Sequence, residues 1–202
     1  MKITAIKQQV KKANRYSFYV DGKYSFSLSE NDFVNYGLVS GQEITEQDLS
    51  KYKQASDDGK WLDRTLNLLS YRPRSEWEIR SYLKRKDCPE QIVDRTLNKL
   101  SVNKYLDDEQ FAKRWVENRR LLKPVSRRKL SQELRAKRIS SEILDRVLSD
   151  DKEITDEKSV LRELVAKKSN RYPDRVKFMQ YLARQGFGYE DIKAVLNEEV
   201  AE

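Results

Sequence analysis

A threefold repeat dominates the last two-thirds of the chain. Laying Ser75–Leu97 over Ser126–Leu148, an offset of 51, gives seven identities in 23 positions. They are Ser75/Ser126, Leu83/Leu134, Lys86/Lys137, Ile92/Ile143, Asp94/Asp145, Arg95/Arg146 and Leu97/Leu148. A further shift of 48 brings Asp174–Leu196 onto the second unit, again with seven identities, Leu134/Leu182 and Leu148/Leu196 among them. Pro73, Pro124 and Pro173 precede corresponding stretches, and proline pushes the residue before it out of the helical region, so each marks a helix break. Similar segments in tandem fold as similar modules that bury their remaining apolar stripes against one another.

The apolar spacing within a unit is helical. Ile79 and Leu83 stand at i, i+4, and after a turn Ile92, Val93, Leu97 and Leu100 line the next helix. Their counterparts are Leu130, Leu134, Ile143, Leu144 and Leu148, then Phe178, Leu182, Ile192, Val195 and Leu196. A preceding helix completes each unit, carried by Leu62, Leu66 and Leu69, by Phe111, Trp115 and Val116, and by Leu161, Leu164 and Val165. The reading is a mainly α protein of three tandem three-helix repeats in an elongated array, over 59–106, 107–152 and 153–202.

Residues 1–58 form a separate β-hairpin and short-helix region. Arg15–Tyr19 and Lys23–Leu28 alternate aromatic and small polar residues around Asp21-Gly22, a hairpin signal. A two-residue loop would pair Phe18 with Ser25 and split the aromatic sets. A three-residue loop, Val20-Asp21-Gly22, pairs Phe18 with Tyr24 and Tyr16 with Phe26 and keeps most rings on one face, so the bulged turn is expected. Residues 2–10 supply a third strand. Ser29 caps a short helix that ends at Gly37, and Thr45 caps another running to about Lys53. Ala55–Gly59 is the expected linker.

Composition excludes several classes. The chain has no histidine and a lone cysteine, so Ser-His-Asp and Cys-His triads, His-ligated metals and an intrachain disulfide are all ruled out. There is no phosphate-binding glycine loop. No apolar run is long enough to cross a membrane, and the first residues are too poor in apolar side chains for a signal peptide. Cys88 aligns with Ile139 and Phe187 and reads as a packed structural residue. Asp107-Asp108-Glu109 reads as a helix start rather than a metal cluster, with Asp107 as cap and Gln110 closing a capping box. The expectation is a cytoplasmic, monomeric non-enzyme without cofactor.

Charge is the remaining functional signal. Lys and Arg number 41 against 33 Asp and Glu. Residues 111–150 alone carry 12 basic and 5 acidic side chains, while every other segment is close to balance. Such concentration is the footprint of a surface that meets phosphates or an acidic protein. The candidate contacts are Arg119, Arg120, Lys123, Arg127, Arg128, Lys129, Arg135, Lys137 and Arg138. Arg127 and Arg138, eleven apart, could share a helix face, with Arg128 and Arg135 as a neighbouring row.

Lys104-Tyr105-Leu106-Asp107-Asp108-Glu109-Gln110-Phe111-Ala112 resembles the Gly-Tyr-Leu-Asp-Asp…Phe-Ala signature of the bacterial RecX regulators of RecA. Tyr71–Glu78 resembles the family's first-unit Arg-x-x-Ser-x-x-Glu-Leu segment, and Tyr181–Phe187 with Ile192, Val195 and Leu196 resembles its closing hairpin. The resemblance covers about 62–198, and the hairpin start is similar to that of the longer members. Lys104 departs from the signature glycine, and Asp87 and Arg138 stand where the family usually has a turn glycine. A left-handed arginine is costly unless the turn is remodelled. The resemblance implies a protein that lies in the groove of the RecA filament and inhibits strand exchange and ATP hydrolysis. In some species such proteins promote disassembly, and family members bind single- and double-stranded DNA weakly and without sequence preference. A stand-alone DNA-binding module of helix-turn-helix-like units is the alternative.

Overall fold

The structure, a computed structural model, describes residues 1–198. Two compact units emerge. One comprises Met1–Arg72 with Ile79–Tyr105, and the other Pro73–Glu78 with the chain from Leu106 onward.

The first unit begins with a three-stranded antiparallel sheet, β1 (Ile3–Gln9), β2 (Lys12–Val20) and β3 (Lys23–Ser29), in that order. Its hairpin differs from the expected one. Val20 pairs with Lys23, so Asp21-Gly22 is a two-residue turn with both residues at positive φ, 48° and 80°. The ladder then shifts: Tyr19 pairs with Tyr24 but Phe18 with Phe26, leaving Ser25 as an extra residue in β3. The bulge gives Phe18 an aromatic partner, but it is Phe26 and not the expected Tyr24, and Tyr16 lies opposite Leu28 and not Phe26. Phe18 and Phe26 stack at 4.8 Å in a core with Ile3, Leu28 and Tyr52.

Helix α1 (Glu30–Tyr36) starts at Ser29, whose hydroxyl accepts the Asp32 N–H, and stops at left-handed Gly37. Helix α2 (Glu46–Tyr71) opens with a full capping box between Thr45 and Asp48. It runs unbroken through residues 55–59, so the expected linker and the expected stop near Lys53 are both corrected. The domain boundary drawn at 58/59 falls inside this helix. Ser56 and Gly59 are small because they lie against the buried Arg15 guanidinium and the β3 backbone. Arg15, 2% exposed, donates to Asp63 Oδ2 at 2.9 Å, to Ser27 O and Oγ at 3.0 Å, and to Ser56 O. The Ser56 hydroxyl accepts the Ser27 N–H at 3.1 Å. Asp58 holds Arg95 through two bonds of 2.8 Å.

The remaining helices are α3 (Glu76–Lys84), α4 (Glu90–Val102), α5 (Asp108–Leu122), α6 (Arg127–Ala136), α7 (Ser141–Ile154), α8 (Glu157–Lys168), α9 (Arg175–Arg184) and α10 (Tyr189–Glu198). A 3-10 turn at Ser169–Arg171 follows α8. The repeat register reappears as burial: Ile79/Leu130/Phe178, Leu83/Leu134/Leu182, Cys88/Ile139/Phe187 and Val93/Leu144/Ile192 are all core residues. Burial also pushes the Cys88 thiol up, away from the thiolate range.

The interhelical turns are not remodelled. Asp87 and Arg138 take the left-handed conformation at φ 57° and 58°, as Gly186 does at 96°, and Lys104 joins them at 58°. At each non-glycine site two backbone bonds close the helix, for example Arg138 N to Arg135 O and Ile139 N to Leu134 O. The cost is about 1–2 kcal/mol per site relative to right-handed backbone.

One junction motif occurs twice within the second unit. The Ser75 hydroxyl donates to Lys137 O at 3.0 Å, and the equivalent Ser126 donates its N–H to Gln185 O at 3.2 Å. The Glu76 N–H reaches Asp108 at 2.8 Å, and the equivalent Arg127 N–H reaches Glu157 at 2.9 Å. Residues 75–76 and 126–127 are thus held at corresponding partners within the second unit.

Candidate functional site

The middle trio, α5 to α7, divides the predicted cations into two groups. Four are held inside the fold. Arg120 donates to Asp151 through Nε at 2.9 Å and through Nη2, and its Nη1 reaches Val125 O. Arg127 donates to the same carboxylate at 3.2 Å, to Glu157 at 2.9 Å and to Thr155 O. Asp151 is 5% exposed as a side chain, so both guanidiniums are drawn inward by a buried charge. Arg119 donates to Glu133 at 2.8 Å and lies over the Trp115 ring, whose Nε1–H shares that carboxylate. Lys137 pairs with Glu78 at 2.7 Å and also sits 5.3 Å from the Trp115 centroid.

The other five remain available. Among the described residues no carboxylate lies within ion-pair distance of Lys123, Arg128, Lys129, Arg135 or Arg138, and all but half-buried Lys129 are exposed. Arg128 and Arg135 are two turns apart on α6, opposite buried Leu130 and Leu134, which is the row expected of them. The expected face shared by Arg127 and Arg138 does not form. Arg127 turns into the fold, and Arg138 lies past the end of α6 in the left-handed turn.

Two features were not read from the sequence. Lys123 borders a cleft of about 530 Å³ that also takes in Leu122, Leu164, Lys167, Lys168 and Tyr181, so cations of α8 join Lys123 there. Beside it Leu121 and Leu122 stand 74% and 76% exposed at the end of α5. The lysines of α8 were hidden by the near-neutral charge of residues 151–202 taken as one segment.

The acidic run at 107–109 is occupied structurally. Asp107 caps α5 by accepting the Gln110 N–H at 2.9 Å, although no return bond from Gln110 closes the box among the described residues. Asp108 receives the Glu76 N–H, and Glu109 pairs with Lys113 at 2.8 Å and with Arg146. Burial, then the neighbouring charges of Glu76, Asp107 and Glu78, hold the Asp108 carboxyl above its usual range.

Comparison with known proteins agrees with this architecture. Family models described as the N-terminal domain of regulatory protein RecX and as its first and second three-helix domains match residues 1–45, 62–100 and 107–148. Regulatory protein RecX of Listeria monocytogenes is 31% identical over 207 aligned residues, covering 100% of this chain and 77% of that one. The chain belongs to the RecX family. The RecX of Bacillus velezensis is 30% identical over 97% of this chain and 76% of its own. A crystal structure of regulatory protein RecX superposes with a TM-score of 0.76 at 29% identity, covering 97% of this chain and 98% of that one. RecX from Lactobacillus salivarius superposes at 0.60, with 26% identity over 71% of this chain and 97% of that one. RecX proteins bear a regulatory name, and no described helix here is long and apolar enough to cross a membrane.

Proposed function

We propose that the protein binds the RecA filament and inhibits its ATPase and strand-exchange activities, without a reaction of its own. Family membership supports the role, and the surface cations Lys123, Arg128, Arg135 and Arg138 support the mode of contact. Inward-turned Arg119, Arg120, Arg127 and Lys137 support the fold instead. An arginine row on one face of α6, together with exposed Leu121 and Leu122 at the end of α5, suits an acidic protein surface that also offers apolar contact. Half-buried Lys129, at the start of α6, is the remaining candidate contact.

The test is RecA ATP hydrolysis on single-stranded DNA. The triple variant Lys123→Glu/Arg128→Glu/Arg135→Glu is expected to lose inhibition while keeping its helical circular dichroism. Full inhibition by that variant would reject the surface. Salt separates protein from phosphate contacts: a module meeting ~5 phosphates loses affinity with a log–log slope near −4 to −5. A much shallower slope for the filament than for bare DNA supports protein contacts as the main term, and equal slopes support the DNA-binding alternative.

A further inference from the structure

The two exposed leucines at the end of α5 belong to different faces of the helix. Leu122 borders the cleft of Lys123, whereas Leu121 borders a second groove, of about 440 Å³, between α5 and α7. Val116 and Val147, 6% and 3% exposed, make this groove apolar at its base. Trp115 and Arg119 of α5 both reach Glu133 on α6, so the side of α5 that carries Lys113, Glu117 and Leu121 turns away from α6 and toward the groove. All of these residues lie in the second unit.

The wall of the groove continues onto the outward face of α5. Arg114, Glu117 and Leu121 stand at i, i+3 and i+7, a single line along the helix, and all three are exposed. Among the described residues neither Arg114 nor Glu117 has an opposite charge within ion-pair distance, and the same holds for exposed Asp150 on the α7 rim. The remaining charges of the rim are engaged inside the fold. Lys113 pairs with Glu109 at 2.8 Å, and Arg120 with buried Asp151. One continuous face therefore offers a projecting leucine, an apolar hollow beside it, and unpaired charges of both signs.

We infer that this face is a self-association site, joining two copies of the chain about a two-fold axis with Leu121 of each in the groove of the other. A two-fold contact must be self-complementary, so knob, hollow and both charges have to share one surface, as they do here. Arg114 of each copy then meets the free carboxylates of the other, Glu117 and Asp150. A polyanion would be repelled by those carboxylates, and a uniformly basic partner by Arg114. The pairing departs from the monomer expected of the sequence. It uses none of the α6 cations and does not depend on the RecA reading.

The test is sedimentation velocity of the full-length protein over roughly 1–300 µM, where a contact of small area is expected to give a monomer–dimer equilibrium at about 10–100 µM. Leu121→Asp removes one knob from each copy, so dimerisation is expected to weaken about 10-fold per copy and about 100-fold in total. Circular dichroism and the urea midpoint should stay at wild-type values. The charge pattern has its own check. Arg114→Glu leaves the free charges of the face purely acidic, and Glu117→Lys/Asp150→Lys leaves them purely basic. Each variant is expected to associate more weakly than wild type when alone, while an equimolar mixture regains the wild-type affinity. Lys123→Glu/Arg128→Glu/Arg135→Glu is expected to dimerise as the wild type does, which keeps this contact distinct from the filament surface. The inference is overturned if the wild type stays monomeric throughout, which would leave the groove to a different protein. Undiminished dimerisation of Leu121→Asp, failure of the mixed charge variants to associate, or loss of the dimer in the triple variant would each overturn it as well, since the contact would then lie elsewhere.

Discussion

Individual residues show where the repeat is obeyed and where it is broken for a reason. Thr96 is 1% exposed and its hydroxyl has no hydrogen-bond partner among the described residues, while the equivalent positions in the other two trios are buried Val147 and Val195. A buried unsatisfied hydroxyl costs about 1–3 kcal/mol, and valine has almost the same shape. Thr96→Val is therefore expected to stabilise the protein by about 1 kcal/mol or more, read as a higher urea midpoint at unchanged slope. A lower midpoint would mean that the hydroxyl is satisfied in solution. Asp151 breaks the repeat in the opposite sense, taking the position that Leu100 fills in the first trio. Its carboxylate draws in Arg120 and Arg127, two of the nine cations first assigned to the surface. The signal was present in the chain as an acid at a core position. Charge summed along the sequence does not reveal it, because only the repeat register marks position 151 as core.

Among elements, those specified by local chemistry were legible and those specified by distant partners were not. Ser29, Gly37, Thr45 and Asp107 announce helix ends through their own side chains or backbone freedom, and each is found in that role. Apolar spacing located the trios because a core leucine such as Leu134 needs only its own periodicity to be recognised. The stretch at 55–59 misled because its small polar residues complement Arg15, some forty positions away, and polar packing leaves no periodicity. The bulge at Ser25 likewise has no compositional mark. Contacts between trios were equally invisible, although Gly186 is decisive there. A Cβ at Gly186 would lie 2.2 Å from Ser126 Oγ and 3.1 Å from Lys129 N, in a backbone already at φ 96°. Gly186→Ala combines a steric clash with left-handed strain, and a loss of about 3 kcal/mol is expected in urea unfolding. A neutral result would mean that the α9–α10 turn does not rest on the start of α6.

Across the whole chain, the linked protons set how stability varies with pH. Hydrogen bonds from Thr45 hold Asp48 below its ordinary value, and those from Ser159 do the same for Asp156. The Lys113 ammonium lowers Glu109, and the Arg162 guanidinium lowers Glu198. A carboxyl whose value falls on folding contributes stability that is complete above its unfolded value and lost as pH drops through the folded one. These four groups therefore favour the folded chain at neutral pH and weaken it in acid. Asp108 acts in the opposite direction. Burial raises its value above the ordinary 3.8, so the folded state binds its proton more tightly. Its contribution is present below about pH 4 and disappears as pH rises through the raised value. The wild-type protein is expected to lose stability on the acid side, with Asp108 offsetting part of that loss. Asp108→Asn keeps an acceptor for the Glu76 N–H but removes the charge crowded by Glu76, Asp107 and Glu78. Its stability relative to wild type should be greatest at neutral pH and should shrink as pH falls toward the ordinary aspartate range. Urea midpoints taken across the acid range decide the matter, since parallel curves for the two proteins would show that folding does not raise Asp108.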